Sequence, residues 1–168
     1  MGSASTEARL EALEKEIKSL KKQAKGKDKQ IQKLEDIDAI KRLQCAYGYY
    51  LEHWMNDEII DCFAMDSPEV SATLVEGTYK GPEGVRRYFG RQMAPDFLHL
   101  VMQLSPVITV AKDGKSAYGR WYGYGTVFFH DVLPRNPMMM AVIYEMDYIK
   151  DKGVIKPPYI KGIASIID

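Results

Sequence analysis

The second half of the chain reads as long strands, with strict alternation from Leu98 to Leu104, and this pattern constrains the possible folds most. Two such segments, Leu98 to Val110 and Ser116 to Phe129, flank Asp113-Gly114, a dipeptide typical of tight β-hairpin turns. A third segment runs from Met138 to Lys150, and a fourth follows it, interrupted at Pro157-Pro158. Because a hairpin joins neighbouring antiparallel strands, we predict a meander of long antiparallel strands here.

The first half of the chain carries helical patterns. A helix is predicted from Asp36 to near Trp54, where apolar residues recur every three or four positions. Asn56 is predicted to cap a second short helix, which Ser67-Pro68 ends. Gly81-Pro82 opens a third helix, because proline is favoured at the first helical position. Helices that precede a run of strands indicate an α+β fold, with about three helices packed on one face of a curved antiparallel sheet.

The residues before this helix form a separate extension. Gly26 and the lysines around it interrupt an otherwise heptad-like pattern. The apolar residues at its a and d positions are Leu10, Leu13, Ile17, Leu20 and Ala24. We therefore divide the chain into an N-terminal amphipathic, coiled-coil-like helix, residues 1–35, and a folded domain, residues 36–168. Because this segment alone buries too little surface to be stable, it implies a partner surface.

The composition argues against several classes of function. The chain has 168 residues, with 23 Lys and Arg against 23 Asp and Glu, so the net charge is zero and we expect no nucleic acid partner. Its two cysteines show no disulfide framework. No apolar run is long enough to span a membrane and no signal peptide opens the chain. We therefore expect a soluble cytoplasmic protein with no membrane partner.

The end of the first domain helix concentrates side chains that can do chemistry. The stretch from Tyr47 to Trp54 brings a phenol, a carboxylate, an imidazole and an indole onto two helical turns. Tyr47 and Glu52 lie obliquely around the helix, so both reach one cavity only if the helix end forms its wall. In the alternative interpretation, Tyr47 and Trp54 are core aromatic residues and Glu52 is a solvated charge.

Glycines recur on one face of a predicted strand. With a two-residue period, Gly119, Trp121 and Gly123 face the same side. Glycine weakens a strand and occurs where another group approaches the backbone closely. This face predicts a cavity floored by backbone and walled by the Trp121 indole. Alternatively, the glycines only allow the sheet to curve.

Four strings of residues carry a family resemblance. They are Asp36-Ile-Asp-Ala-Ile-Lys-Arg-Leu43, Tyr47-x-x-Tyr50-x-Glu52, Gly77-Thr-Tyr-Lys-Gly81 and Gly119-Arg-Trp-Tyr122. Together they resemble the SnoaL-like branch of the nuclear-transport-factor-two-like superfamily, over about residues 36–168. The chain is most similar to the small dehydratases of the bile-acid dehydratase and scytalone dehydratase type. The resemblance implies a cone-shaped α+β barrel with a deep pocket between helices and sheet.

The resemblance also implies a catalytic set of a helix tyrosine, a carboxylate five residues later and a strand histidine. Tyr47 matches the tyrosine, and Glu52 stands where those enzymes carry aspartate. Val101 occupies the expected histidine position, and the nearest imidazole, His99, lies about 7 Å further along the strand. The candidate catalytic residues are therefore Tyr47, Glu52 and His99.

We expect the pocket to be lined from the helix end and from three strands. The candidate substrate-binding residues are Tyr50, Trp54, Val101, Gln103, Gly119, Trp121, Gly123 and Tyr144. Three scattered histidines without paired ligand spacing predict no metal site. No glycine-rich phosphate loop follows a strand, so we expect no nucleotide cofactor either.

These features predict a cofactor-free acid–base enzyme, a dehydratase, isomerase or cyclase, that acts next to a carbonyl. Its substrate would be a small, largely apolar, polycyclic or aromatic molecule. The alternative is a non-catalytic small-molecule-binding or assembly module on the same fold, which Val101 at the expected histidine position favours.

We also expect a homo-oligomer, a dimer or a trimer, formed through the outer sheet face and the N-terminal helix. Alternation places two sets of side chains on that outer face: Leu98, Leu100, Met102 and Leu104, and Arg120, Tyr122 and Tyr124. An exposed apolar patch of this size is normally covered by a partner.

Overall fold

The computed structural model describes the backbone at residues 3–74, 77–90, 98–128, 138–151 and 153–167, and the side chains at 6–74, 77–90, 100–126, 139–150 and 153–157. The helices are α1 (Ser3–Glu52), α2 (Asn56–Asp61) and α3 (Gly81–Phe89). The strands are β1 (Ser71–Leu74), β2 (Gly77–Lys80), β3 (Leu98–Val110), β4 (Ser116–Phe128), β5 (Met138–Asp151) and β6 (Val154–Ile167). The chain divides into two compact units, Met1–Asp36 and Ile37–Asp168.

Helix α1 continues past the positions where the sequence suggests a boundary. Gly26 lies within it, and the predicted start of a new helix near Asp36 is wrong. A single glycine costs a helix only about 1 kcal/mol relative to alanine. The neighbouring alanine, lysine and glutamine residues are good helix formers, so the backbone stays helical. In the first unit the apolar stripe is about half exposed, at Leu10, Leu13, Ile17 and Leu20.

A left-handed residue closes the C-terminal end of α1. Trp54 has a φ of 54°. The Met55 N–H donates to the Tyr50 carbonyl oxygen at 3.0 Å, and the Trp54 N–H donates to that of Leu51 at 3.4 Å. These two bonds form the Schellman motif, which satisfies carbonyl groups at a helix end. The predicted cap of α2 by Asn56 is wrong, because the turn places Met55 at the cap position, with no side-chain cap bond.

The strands form one six-stranded sheet in the order β2-β1-β6-β5-β4-β3. All neighbours are antiparallel except β1 and β6, which pair in parallel. The α+β class and the meander of long antiparallel strands are confirmed. The predicted interruption of the last strand is wrong, since β6 runs through Pro157-Pro158 and only its register with β5 shifts there. Proline is tolerated at such an irregularity because it has no N–H to donate.

An extra residue in β3 decides which of its side chains face the core. The register with β4 shifts by one residue between Leu104 and Val107, and Ser105 has a φ of 50°. This is a β-bulge, which reverses the alternation of inward and outward side chains. Odd-numbered positions face inward before the bulge, as at Val101, and even-numbered positions do so after it, as at Val110.

The core of the second unit lies between its helices and the inner face of the sheet. Helix α1 contributes Ile40, Tyr47 and Leu51, and α3 contributes Val85 and Phe89. The sheet contributes mainly Val101, Trp121, Val142, Tyr144, Met146 and Tyr148. The alternation of the strands therefore puts the bulky aromatic residues of β4 and β5 directly under the helices.

The other face of the sheet exposes large apolar side chains. The exposed residues include Met102, Leu104, Tyr122, Tyr124 and Ile143, from three adjacent strands. Arg120, also on this face, pairs with Glu145 of β5 at 2.6 Å. Leu100 is half-buried, and Leu98 lies outside the described side chains.

The packing of β3 on β4 gives a stability prediction. A Cβ atom at Gly125 would overlap the Leu100 carbonyl oxygen, so Gly125→Ala must push the two strands apart. Overpacking of this kind costs about 1–3 kcal/mol, and we expect that loss in the free energy of unfolding measured by urea titration. Gly26→Ala is the control, because its Cβ would meet no atom within 4 Å. A Gly125→Ala protein as stable as the original would contradict the described strand contact.

Candidate active site

Tyr47 lies at the centre of a buried aromatic cluster. Its ring meets those of Phe63, Phe89 and Tyr144 edge to face, at centroid distances of 6.3, 6.2 and 6.4 Å, a favourable geometry for aromatic pairs. Helix α1 delivers the side chain there because Tyr47 follows the fully buried Ile40 by two turns. Only 3% of Tyr47 is exposed.

The surroundings of Tyr47 keep its phenol protonated. Burial raises its pKa well above 10.0, and the nearby Tyr144, Tyr88 and Cys62 add to the rise. The phenolate is disfavoured because it loses hydration and because these neighbours would repel its charge when they ionise. At neutral pH the Tyr47 hydroxyl can therefore donate a hydrogen bond, but it cannot act as a base.

Tyr144 supplies a second protonated phenol beside the first. It faces inward from β5 together with Val142 and Met146, since alternate residues of a strand share a face. Burial raises the pKa of Tyr144 to about 12, and the neighbouring Gln103 side chain opposes part of that rise. The site thus holds two neutral phenols in ring contact.

A chain of hydrogen bonds crosses the core next to these phenols. The Trp121 Nε1–H donates to the Tyr148 hydroxyl oxygen at 3.2 Å. The Tyr148 hydroxyl donates to the Gln44 Oε1 at 3.1 Å, and the Gln44 Nε2 donates to the Gln103 Oε1 at 2.8 Å. These hydrogen bonds therefore link β4, β5, α1 and β3 in turn.

The amide nitrogen at the end of this hydrogen-bond chain has no partner among the described residues. The Gln103 Nε2 is buried and makes no hydrogen bond within the described part of the chain. The Gln103 side chain lies close enough to the Tyr144 phenol to oppose part of the rise in its pKa. Gly48 of α1 allows this close approach, because a Cβ there would lie 3.1 Å from the Gln103 Cγ.

The glycines of β4 make room for tyrosine rings. A Cβ at Gly119 would lie 2.9 Å from the Tyr148 ring, and one at Gly123 would lie 2.6 Å from the Tyr144 ring. The close approach expected at these glycines is therefore made by side chains of the neighbouring strand β5. Contact of Gly119 and Gly123 with a ligand stays a prediction.

The structure brings together some of the predicted site residues and leaves others apart. Tyr47, Val101, Trp121 and Tyr144 share one buried cluster, with Tyr50 partly buried against it. Gln103 joins it through Gln44. Glu52 and Trp54 are half-buried at the end of α1, and neither belongs to the cluster.

The histidines contribute little to the described site. His99 lies in β3 opposite Val127, and its side chain is outside the described part of the protein. His130 also lies outside it. His53 is exposed, with its Nδ1 2.8 Å from the Tyr49 carbonyl oxygen. A role for His99 as a base therefore stays a prediction.

Within the described residues, no group of three or more His, Cys, Asp and Glu side chains could hold a metal ion. Within the same part of the chain, no helix is long and apolar enough to cross a membrane.

Three important residues were missed by the sequence analysis: Gln44, Gly48 and Tyr148. A signal for Gln44 was available, because its spacing from Ile40 and Tyr47 puts a polar residue in the apolar stripe of the helix. Tyr148 shares the face of Tyr144 by alternation. Gly48 carries no such signal, because only the strand opposite it requires a small residue.

A family model described as the SnoaL-like domain matches residues 32–156 of this chain. The chain belongs to the SnoaL-like domain family. Membership confirms the resemblance, and with the helices packed on one face of the sheet it establishes the cone-shaped α+β fold. The matched residues include the whole aromatic cluster described above.

Solved structures share this SnoaL-like fold. A provisionally assigned scytalone dehydratase from Novosphingobium aromaticivorans is 14% identical, with a TM-score of 0.67 over 81% of this chain and 88% of that chain. The hexachlorocyclohexane dehydrochlorinase LinA-type3 from Novosphingobium barchaimii is 17% identical, with a TM-score of 0.66 over 82% and 92%. At these identities the similarity establishes the fold alone.

The hydrogen-bond chain predicts an unequal cost for removing two tyrosine hydroxyls. Tyr148→Phe would leave the Trp121 N–H and the Gln44 Oε1 unpaired in the core, and each such group costs about 1–3 kcal/mol. We therefore expect a loss of about 2 kcal/mol or more in the free energy of unfolding, measured in urea.

Tyr118→Phe is the matched control for this measurement. The Tyr118 hydroxyl donates to Glu145 at 3.0 Å on the exposed face, where removal of a hydroxyl changes stability by only about 0.5 kcal/mol or less. Equal losses in the two variants would show that the buried chain does not stabilise the core.

Proposed function

We propose that this SnoaL-like protein is a cofactor-free acid–base enzyme, a dehydratase, isomerase or cyclase. It acts next to a carbonyl of a small, largely apolar, polycyclic or aromatic substrate. The observation that carries the proposal is the Tyr47 phenol, which is buried among aromatic rings and held protonated beside Tyr144.

Tyr47 has the properties of a donor to a developing oxyanion. When a base removes a proton from the carbon next to a carbonyl, the electron pair forms a carbon–carbon double bond and the carbonyl oxygen gains negative charge. A fixed donor in a dry site stabilises that charge more than water does. The carbonyl then re-forms as a β-hydroxyl leaves with a proton as water, or as another carbon takes up the proton.

The base must be a different group, because Tyr47 stays protonated. Glu52 is half-buried at the end of α1, five residues from Tyr47, and a carboxylate can take a proton from carbon once it is in reach of the substrate. His99 is the second candidate, from β3. The two compete for one role, and the substrate's position in the pocket decides between them.

The names of the structural neighbours are compatible with such a reaction. A dehydratase and a dehydrochlorinase occur among them, and both names denote the loss of a small molecule from a substrate. A shared scaffold does not carry a reaction with it, so these names support the proposal only together with the phenols of the site.

One observation favours a non-catalytic binding module instead. Val101 stands where the dehydratases carry histidine, and it is buried in the aromatic cluster. In that case the pocket would bind an apolar molecule or serve assembly, with Tyr47 as a recognition group.

We also propose a homo-oligomer, a dimer or a trimer, that covers the outer sheet face. Large apolar side chains there are exposed on three adjacent strands, and a patch of this kind marks an interaction surface in most soluble proteins. The half-exposed stripe of the N-terminal helix is a second apolar surface that an oligomer would cover.

A cytoplasmic location belongs to the same proposal. Both cysteines are free, with Cys45 exposed and Cys62 buried. Free thiols are typical of proteins in a reducing compartment.

The enzyme proposal can be tested by enolisation of a model ketone. We expect the protein to accelerate exchange of the α-hydrogens of 2-tetralone in D₂O, followed by NMR. Tyr47→Phe should slow this exchange about a hundredfold or more, as loss of one oxyanion donor does, while 2-tetralone still binds. Tyr49→Phe is the control, because Tyr49 is 66% exposed.

The same assay identifies the base. Of Glu52→Gln and His99→Ala, only one should cause a large loss of rate, because one group removes the proton. If Tyr47→Phe and both base variants exchange at the original rate, the catalytic assignment is wrong. Binding of 2-tetralone with no acceleration by the original protein would favour the binding module.

The oligomer proposal gives a prediction for the outer face. Light scattering at micromolar concentration should show a dimer or trimer, and Tyr122→Glu should lower the measured mass because it places a charge in the covered patch. Glu69→Gln, at another exposed position, should leave the mass unchanged. A monomer in the original protein would rule the proposal out.

A further inference from the structure

We propose that the Nε2–H of Gln103 is the donor that binds an oxygen of the ligand, and that Trp121, Tyr148 and Gln44 hold it in that role. The inference rests on the proposed function, since it requires a small apolar ligand to enter beside Tyr47 and Tyr144. It adds that such a ligand must carry an oxygen that accepts a hydrogen bond.

The Gln103 Nε2 is a buried donor that makes no hydrogen bond within the described part of the chain. A buried polar group in a native protein is nearly always paired, with protein, water or ligand. A donor that is unpaired among the described residues is therefore open to an acceptor that a ligand brings.

The direction of the hydrogen-bond chain makes this group a donor. An indole can only donate, so Trp121 fixes the Tyr148 oxygen as an acceptor. The Tyr148 hydroxyl is then free to donate to Gln44, and Gln44 turns its own Nε2 toward the Gln103 Oε1. The Nε2 of Gln103 is left at the end of the chain.

The reversed arrangement is less favourable. If both amides turned over, the Tyr148 hydroxyl would have to donate to the Met146 Sδ, which lies 3.3 Å away. A thioether is a weak acceptor, whereas an amide oxygen is a strong one. The bond from the Tyr148 hydroxyl to the Gln44 Oε1 therefore favours the order that leaves the Gln103 nitrogen at the end of the hydrogen-bond chain.

The neighbourhood of Gln103 indicates what it can bind. Its side chain lies close to the Tyr144 phenol, and the Tyr144 ring contacts that of Tyr47. An amide nitrogen carries two hydrogens, so Gln103 can donate to a ligand oxygen that lies beside Tyr144. A carbonyl oxygen, which has two lone pairs and no hydrogen, matches these donors. The ligand class is therefore an apolar ketone or another carbonyl compound.

A matched pair of probes tests this inference on the full chain. The ketone 2-acetylnaphthalene and the alkene 2-isopropenylnaphthalene have nearly the same shape, and only the ketone has an acceptor oxygen. One neutral hydrogen bond corresponds to roughly a tenfold preference in Kd. We expect the protein to prefer the ketone by about that factor in a fluorescence titration, and Gln103→Leu to remove the preference while it still binds the alkene.

Gln44→Leu tests the positioning role separately. This variant keeps the Gln103 amide but removes the hydrogen bond that orients it. The preference for the ketone should therefore fall, while the affinity for the alkene stays the same. Tyr49→Phe, on the exposed side of α1, should keep the full preference. If Gln44→Leu keeps the full preference for the ketone, the hydrogen-bond chain does not position the Gln103 amide.

A measurement on the unaltered protein guards against variants that fail to fold. In ¹⁵N-labelled protein, the side-chain NH₂ resonance of Gln103 should shift further downfield on addition of the ketone than on addition of the alkene. Equal affinity for the two probes, with no such shift, would overturn the inference while leaving the pocket intact. If neither probe binds, the proposed apolar site fails, and the role of Gln103 fails with it.

Discussion

Burial of the Gln44 amide is the constraint on which the rest of the second unit depends. An amide on the buried stripe of a helix must find partners inside the core, because water cannot reach it. It finds them in Tyr148 and Gln103, and Tyr148 adds Trp121. One polar side chain thereby fixes α1 against three strands, and α1 in turn carries Tyr47 into the aromatic cluster.

Small residues opposite large ones make this arrangement possible. The backbone of β4 at Gly119 and Gly123 accepts the rings of Tyr148 and Tyr144 from the neighbouring strand, and Gly48 accepts Gln103 against the helix. A side chain at any of these positions would press on a group of the hydrogen-bond chain or of the phenol pair. The same packing that excludes water from the core also raises the pKa of the tyrosines.

The described part of the site is rich in neutral donors. Its phenols, and the Gln103 N–H that has no partner among the described residues, suit an oxygen that is polarised or becomes negatively charged. The candidate base Glu52 lies outside the cluster, in the last turn of α1, which ends in a Schellman motif.

The sequence by itself determined the features that depend on neighbours along the chain. Alternation from Leu98 to Leu104 marked the first long strand, Asp113-Gly114 marked its hairpin, and local strings marked the family, because a two-residue period and a turn dipeptide are local properties. Tyr47 could be named from the same strings. The start of the domain helix could not be found, because good helix formers continue on both sides of Asp36.

Only the tertiary structure decided which side chains meet. Gln44 lies 59 residues from Gln103 and 104 residues from Tyr148 in the sequence. No local pattern encodes such pairings. The bulge at Ser105 sets which face of β3 turns inward, and the glycines of β4 proved to face tyrosine rings. The direction of the buried hydrogen-bond chain follows from contacts between four separate elements, so it exists only once the chain has folded.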